Sequence, residues 1–143
     1  MTLREITAGT VRTICDLEVR PEQRGYVAPN AVSIAQAHFQ PRAWFRAVYA
    51  DETPVGFAML DLNVEQREYF LWRFMIAGEH QGKGYGRGAL DRVVEHVRGL
   101  PGGRTLYSSY REGEQSPGGF YRAYGFVETG EVKGDEVQIR LDL

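Results

Sequence analysis

The six residues Gln81-Gly82-Lys83-Gly84-Tyr85-Gly86 form a glycine loop between an apolar run and a long amphipathic segment. The run before them, residues 69–76, is aromatic-rich and too short for a typical helix, a pattern that favours a buried strand. After the loop, apolar residues recur at spacings of one, three and four, which predicts one face of a helix: Ala89, Leu90, Val93, Val94, Val97 and Leu100. The sequence therefore predicts a strand, a glycine loop and a helix in succession.

The glycine loop has the features of an anion site. Gly82, Gly84 and Gly86 remove every second Cβ, so the chain can curl until successive amides point into one concavity at the positive end of the helix. The net charge is only −2, but from Arg73 to Arg111 seven Arg and Lys residues stand against three acids. A ligand that carries a diphosphate fits both the amides and the local charge.

Two other glycine loops bind nucleotides, and neither matches the spacing here. The phosphate-binding loop of nucleotide hydrolases ends in Lys followed by Ser or Thr, but no Ser or Thr lies between Thr53 and Thr105. The dinucleotide pattern Gly-x-Gly-x-x-Gly differs from the alternating glycines at 82, 84, 86 and 88. The remaining alternative is a flexible glycine turn without a ligand.

Length and composition predict one domain, residues 1–143. The chain is 43% hydrophobic and 25% charged, values that suit a compact domain with a real core. No apolar run approaches the roughly 20 residues of a membrane span, and the N-terminus lacks the pattern of a secretory signal, so we expect a cytoplasmic protein without a membrane partner. The weak net charge predicts no nucleic-acid partner. Cys15 and the scattered His38, His80 and His96 lack metal-ligand spacing, so no metal is expected.

The periodicities predict an α/β (α+β) fold with a central mixed sheet of about seven strands, mostly antiparallel, and about four helices. The expected elements, in chain order, are a strand at 3–6, a helix from Val11 that includes Glu18 and is interrupted by Pro21, a helix capped by Asn30 and ended by Pro41, strands at 44–50, 55–62 and 69–76, the helix after the glycine loop, a strand at 105–110, a short helix over 117–124, and a terminal hairpin of strands 126–132 and 137–143. Strands 69–76 and 105–110 are joined by a helix, which requires a parallel pair with a right-handed crossover. The glycine loop then lies at the carboxyl end of the first of these strands, where ligands of such sheets bind.

Two motifs in this order resemble the GNAT superfamily of acetyl-CoA-dependent N-acetyltransferases. One is Arg73-Phe74-Met75-Ile76 running into the glycine loop, with its Gln81-x-x-Gly84-x-Gly86 spacing, and the other is Phe120-Tyr121-Arg122-Ala123-Tyr124-Gly125-Phe126. The resemblance covers essentially the whole chain. It implies a twisted sheet in which the two parallel strands splay apart, with acetyl-CoA as cosubstrate.

The resemblance also implies which residues hold the coenzyme. The backbone of Phe74, Met75 and Ile76 would hydrogen-bond the pantetheine arm almost as an extra strand. The pyrophosphate would take the amides of the loop and the first helical turn, which are those of Gln81, Gly82, Lys83, Gly84, Tyr85, Gly86 and Arg87, and Lys83 and Arg87 could add charged contacts. Many relatives carry Asn several residues before the tyrosine of the second motif; here Ser116 is the candidate coenzyme contact instead.

Tyr121 is the catalytic candidate, because the resemblance places it at the tyrosine near the coenzyme sulfur. A phenol with a pKa of about 10 is protonated at neutral pH and can protonate a departing thiolate. Tyr124, one turn later, is the rival, and a tyrosine here can also serve packing alone. No general base is assigned: Trp72 occupies the position where some polyamine-acetylating relatives carry Glu, and Glu18, Glu68 and a water chain all stay open.

The acceptor residues are predicted more loosely. Residues 23–30, together with Ser33 and residues 36–37, resemble bacterial spermine/spermidine acetyltransferase-like members of the family. In this fold the first two helices wall the acceptor groove, which makes the substrate-binding candidates Glu18, Glu22, Tyr26, Asp61 and Trp72. Glu18 and Glu22 are equally compatible with a solvated helix face.

The leading hypothesis is N-acetylation of a small amine such as a polyamine or diamine. The alternatives are acetylation of a protein N-terminus, lysine, amino acid or antibiotic amine, and a non-catalytic acyl-CoA-binding module. Relatives often pair through their C-terminal strands, so Val137–Leu143 could offer the edge of a homodimer, although the same strand suits a monomer equally well.

Overall fold

The computed structural model describes residues 1–143, and its elements follow the predicted order. They are β1 (Thr2–Arg4), α1 (Val11–Asp16), a 3-10 helix (Pro21–Tyr26), α2 (Asn30–Ala37), β2 (Ala43–Ala50), β3 (Thr53–Asn63), β4 (Glu68–Ile76), a second 3-10 helix (Gly78–His80), α3 (Tyr85–Arg98), β5 (Thr105–Arg111), α4 (Gly118–Tyr124), β6 (Val127–Lys133) and β7 (Glu136–Asp142).

All seven strands form one sheet in the order β1-β2-β3-β4-β5-β7-β6. Neighbouring strands are antiparallel except β4 and β5, which are parallel, as their helical connection requires. The parallel pair is short: only Tyr69 with Leu106 and Phe70 with Tyr107 are in register. Beyond these pairs the two strands diverge, so the predicted mixed sheet with splayed β4 and β5 is confirmed.

The sheet separates two hydrophobic cores, because alternate side chains of each strand point to opposite faces. On one face α3 and α4 contribute buried residues such as Leu90, Val93 and Tyr121, which pack with Leu71 and Leu106. The opposite face carries a smaller core beneath α1 and α2, formed by Ile14, Ala47, Phe57, Met59 and Met75. The two faces are called here the α3 face and the α2 face.

A β-bulge in β4 changes which side chains reach the α2 face. Met59 of β3 is opposite Arg73 and the next residue, Leu60, is opposite Leu71, so Trp72 is the extra residue. Leu71 packs in the core of the α3 face, whereas Trp72 packs against that of the α2 face. Arg73 also reaches the α2 face, where it donates a hydrogen bond to Gln36 of α2 (3.0 Å). Two consecutive side chains therefore point to the same side of the sheet.

Three details of the sequence-based prediction are wrong. Asn30 does not cap α2: the cap position is Pro29, and the buried Asn30 amide instead donates to the carbonyl of Ile14 (2.9 Å), which ties α2 to α1. Helix α1 ends at Asp16 with extended backbone at Leu17, so Glu18 lies outside the helix. The segment 137–143 offers no free edge, because β7 is paired on both sides and β6 is the edge strand.

Candidate active site

A cleft of about 1250 Å³ opens where β4 and β5 diverge. Its lining comes from the 3-10 helix at 21–26, β4, the glycine loop, β5, α4 and the turn between β6 and β7. Two parts of it differ in chemistry. The amide half consists of residues 74–76, Gln81, Gly82, residues 84–87, Ser116, Pro117, Phe120 and Tyr121. The arginine half consists of Arg24, Tyr26, Trp72, Arg73, Arg111, Lys133, Asp135, Glu136 and Gln138.

The glycine loop presents its backbone amides to the amide half. Gly82 and Gly84 have φ values of +78° and +82°, a region that L residues rarely adopt, and α3 begins at Tyr85. No amide from residue 82 to 87 donates to a backbone carbonyl. A Cβ added to Gly82 or Gly84 would meet no atom within 4 Å, so the concave side of the loop is open. The loop is therefore a cradle of free N–H groups at the positive end of a 14-residue helix.

Almost all of the residues predicted to bind the coenzyme lie together in this half. The cleft is lined by Phe74, Met75, Ile76, Gln81, Gly82, Gly84, Tyr85, Gly86, Arg87 and Ser116. Lys83 is exposed and does not line the cleft. The Arg87 guanidinium lies over the ring of Tyr124, 5.6 Å from its centroid.

Two of these side chains are engaged within the protein. The Gln81 amide donates to the carbonyl of Ile76 (2.9 Å) and exchanges hydrogen bonds with the Gln23 amide (2.9 and 3.1 Å). The Ser116 hydroxyl donates to the carbonyl of Arg111 (2.7 Å) and accepts from the amide of Gly118 (3.1 Å), so it organises the start of α4. Sequence reasoning missed Gln23, which is 58 residues from its partner and carries no local signal.

The divergence of the strands leaves one edge of β4 without a strand partner. Beyond the paired residues, the Ser108 hydroxyl of β5 donates to the carbonyl of Leu71 in β4 (2.9 Å). From residue 73 to residue 76, β4 is in register with β3 alone. An extended ligand chain can therefore pair with this edge as an added strand.

Tyr121 lies where the two halves meet. Its ring is 5% exposed and packs edge-on against Phe126, with centroids 5.3 Å apart. Burial raises the pKa of the Tyr121 phenol above its ordinary value, and the Ser108 hydroxyl opposes this with a smaller effect. The phenol is therefore protonated at neutral pH and lines the cleft.

Tyr124 also lines the cleft, but its hydroxyl is engaged. It donates to the carboxylate of Asp91 in α3 (2.6 Å), and burial together with this carboxylate raises the Tyr124 pKa. The hydroxyl proton of Tyr124 is therefore engaged by the Asp91 carboxylate, whereas the hydroxyl of Tyr121 has no carboxylate partner.

The predicted acceptor residues are only partly brought together. Tyr26 and Trp72 line the arginine half, whereas Glu18, Glu22 and Asp61 do not line the cleft. The Glu18 carboxylate pairs with Arg24 at the surface (3.4 Å), and that of Asp61 pairs with Arg42 (2.8 Å).

Side chains that sequence reasoning did not single out occupy the arginine half instead. Arg111 donates to the carbonyl of Gly25 (2.9 Å) and pairs with Asp135 (2.8 Å), which connects β5 to the 3-10 helix at 21–26 and to the β6–β7 turn. Arg73 has no carboxylate within ion-pair distance. Its burial lowers the pKa of the guanidinium, and Glu136 raises it by a smaller effect.

The rest of the molecule adds little to the choice of ligand. No group of three or more His, Cys, Asp and Glu side chains is arranged to hold a metal ion. None of the helices combines the length and apolar character needed to cross a membrane.

A splayed parallel pair with an amide cradle at the following helix defines a coenzyme A-dependent acyltransferase, and comparisons with known proteins agree. Residues 12–126 match the model of the Acetyltransferase (GNAT) family. The chain belongs to this family and is an acetyl-CoA-dependent N-acetyltransferase.

Relatives and solved structures resemble the chain over nearly its full length. It is 27% identical to the spermine/spermidine N(1)-acetyltransferase of Bacillus subtilis (strain 168), over 96% of each chain. An acetyltransferase structure from Thermus thermophilus has a TM-score of 0.77 at 22% identity, covering 99% of this chain and 96% of that one. The spermidine N-acetyltransferase of Vibrio cholerae in complex with CoA and spermine has a TM-score of 0.72 at 22% identity, covering 99% and 94%.

Proposed function

We propose that residues 1–143 act as one domain that moves the acetyl group of acetyl-CoA directly to a primary amine of a small molecule, with Tyr121 as general acid. The observation that carries the proposal is the convergence of three features in one cleft: free loop amides, an unpaired strand edge and a buried protonated phenol. Each feature meets a different need of the reaction.

The amide half suits the coenzyme. The amides of residues 82–87 would hold the pyrophosphate, and Arg87 at the rim of the loop would add a charged donor. The free edge of β4 at Phe74, Met75 and Ile76 would pair with the amide groups of the pantetheine arm. Such pairing would bring the thioester to the point where the strands separate, beside Ser108 and Tyr121.

The arrangement of Tyr121 suits the departure of the thiolate. The acceptor nitrogen attacks the thioester carbonyl carbon, a C–N bond forms and the C–S bond breaks, and the phenol donates its proton to the leaving sulfur. The acylated nitrogen loses one proton to water, and the Tyr121 phenolate regains one from solvent before the next turnover. The raised pKa keeps that proton in place until a strong base such as a thiolate develops beside it. The attacking amine must be neutral, and no carboxylate base is assigned because Glu18 and Glu68 do not line the cleft.

Polyamines and diamines are the first acceptors to test, because two curated relatives from Bacillus subtilis are described as a spermine/spermidine N(1)-acetyltransferase and a probable spermine N(1)-acetyltransferase. Tyr26 and Trp72, which both line the arginine half, would contact the acceptor. Both offer ring faces that suit an alkylammonium chain.

Replacing Tyr121 by Phe tests the proposed acid. Loss of a general acid lowers kcat about 100-fold or more, while the dissociation constant for CoA, measured by calorimetry, should change less than about twofold. The matched control is Tyr124→Phe on the same helix, which breaks the bond to Asp91 and should keep most of the turnover. Unchanged free-thiol release by the Tyr121→Phe variant would remove Tyr121 from the mechanism. Absence of thiol release by the wild type with every amine would favour the non-catalytic acyl-CoA-binding module.

A further inference from the structure

The charge of the cleft does not suit a ligand that is cationic throughout. Its lining contains five Arg and Lys side chains and only two acids; the basic ones are Arg24, Arg73, Arg87, Arg111 and Lys133, and the acids are Asp135 and Glu136. Of these, only Arg87 lies in the amide half, so an excess of positive charge remains in the arginine half. A polyamine, with an ammonium group at each end, would be repelled there.

Arg73 and Lys133 are the basic side chains of this half without an ion pair, and of the two only Arg73 is partly buried, because Lys133 is exposed to solvent. Arg111 pairs with Asp135 and Arg24 pairs with Glu18, both within 3.4 Å. The Arg73 guanidinium donates only to neutral oxygens, the carbonyl of Trp72 (3.1 Å) and the amide of Gln36 (3.0 Å). Its Nε atom is buried without any partner.

A guanidinium in this state has lost part of its hydration without gaining a carboxylate. Burying a charge in this way costs free energy unless an anion compensates, and Arg stays charged because its pKa is very high. The β-bulge at Trp72 directs Arg73 to the α2 face, so its charge lies on the side of the sheet opposite to α3 and its amide cradle.

A second charge lies near Arg73. The Glu136 carboxylate, at the start of β7, is close enough to raise the Arg73 pKa but not to form an ion pair. It accepts a hydrogen bond from the Ser109 hydroxyl (3.2 Å) at the surface of the cleft. The arginine half therefore offers an anion-binding group and a cation-binding group side by side.

We propose that the acceptor is an amine that also carries a carboxylate, and that Arg73 binds this carboxylate. This inference rests on the proposed function, since it narrows the acceptor of the same transfer. An amino acid or other aminocarboxylate has an amino group, which Glu136 can attract or which can be acetylated. It also has a carboxylate, which Arg73 can bind. Arg73 is then the residue that determines acceptor specificity, and polyamines are poor substrates.

Lysine and cadaverine provide the matched pair for the test, because lysine is cadaverine with one added carboxylate. Free-thiol release with acetyl-CoA gives kcat and KM for both, and for 5-aminopentanoate and spermidine. A charged hydrogen bond to Arg73 should make kcat/KM for lysine about tenfold or more above that for cadaverine. The Arg73→Gln variant should reduce this ratio to about threefold or less, chiefly by raising KM for lysine, whereas Arg73→Lys should retain part of it.

Arg42→Gln is the matched control, since Arg42 pairs with Asp61 outside the cleft and its loss should leave the ratio unchanged. Calorimetry with CoA checks that each variant keeps its coenzyme site. If wild type uses cadaverine or spermidine as well as lysine, the inference fails and the proposed transfer stands. A lysine preference that survives in Arg73→Gln overturns the role of Arg73. No thiol release with any of the four amines overturns the inference and the proposed function together.

Discussion

The two halves of the cleft are built in different ways. Apart from the residues at the start of α4, the amide half is almost continuous in sequence: residues 74–76 and 81–87 lie within fourteen positions, and their recognising groups are backbone amides. The arginine half collects single side chains from the 3-10 helix at 21–26, β4, β5 and the β6–β7 turn. The amide half depends on backbone conformation and the arginine half on tertiary packing. A mutation in one half should therefore weaken binding of its own ligand and leave binding in the other half unchanged.

The largest effect is expected from Gly84→Val, which attacks the amide half. Gly84 has a φ of +82°, and a β-branched residue there costs about 1–2 kcal/mol of backbone strain or forces the loop to change shape. A changed loop no longer aims its amides at one point, so the dissociation constant for CoA should rise about 10- to 100-fold, as measured by calorimetry.

Gly130→Val is the control for this substitution. Gly130 has a φ of +92° and open surroundings, as Gly84 does, but lies in β6 and does not line the cleft. It should lower the free energy of unfolding by a similar amount and leave CoA binding unchanged. A Gly84→Val variant with wild-type CoA affinity would contradict the assignment of the loop as the pyrophosphate site.

A smaller effect is expected in the arginine half from Arg111→Gln. This change removes the ion pair with Asp135 and the bond to the carbonyl of Gly25, which hold three segments of the cleft together. Such partly exposed interactions contribute about 1 kcal/mol or less, so KM for the amine should rise roughly threefold to fivefold. The dissociation constant for CoA should stay the same.

Arg92→Gln is the matched control for Arg111→Gln. It removes an ion pair with Glu95 on the exposed side of α3 (2.7 Å), away from the cleft, and should change neither constant. If Arg111→Gln weakened CoA binding as much as amine binding, the two halves would not be independent.

The same difference explains what the sequence could predict. Strand, loop and helix periods predicted the order of the seven strands and four α-helices, because each depends on neighbours within a few residues, but the two 3-10 helices were not predicted. The glycine loop was recognisable for that reason. The predicted cap at Asn30 was wrong because a tertiary bond to Ile14 competes for its side chain, and the position of β7 inside the sheet depends on pairing that no local pattern encodes.

The acceptor residues show the limit of sequence reasoning most clearly. Glu18 and Asp61 were chosen for their charge, but each pairs with an arginine outside the cleft or at its rim. Arg73 was noted only as part of a motif, because its direction depends on the bulge at Trp72. A one-residue shift of register decides which face a strand residue reaches, and no periodicity predicts such a shift.

The smallest effect concerns Tyr121, at the boundary of the halves, and appears as a pH dependence of stability. Its folded pKa is raised above the unfolded value of about 10, so above that pH the unfolded chain loses the proton while the folded protein keeps it. The stabilisation from the buried neutral phenol is therefore complete below pH 10 and declines as the pH rises further. Between roughly pH 8 and pH 11 the free energy of unfolding of the wild type should fall by about 1 kcal/mol more than that of Tyr121→Phe, as measured by urea denaturation.

Tyr107→Phe is the control, because Tyr107 is at an exposed position of β5, and its free energy of unfolding should change with pH as that of the wild type does. If the free energy of unfolding fell equally in all three proteins, the Tyr121 phenol would be exposed to water in the folded state. A hydrated phenol would not be the buried acid that the proposed mechanism requires at the boundary of the two halves.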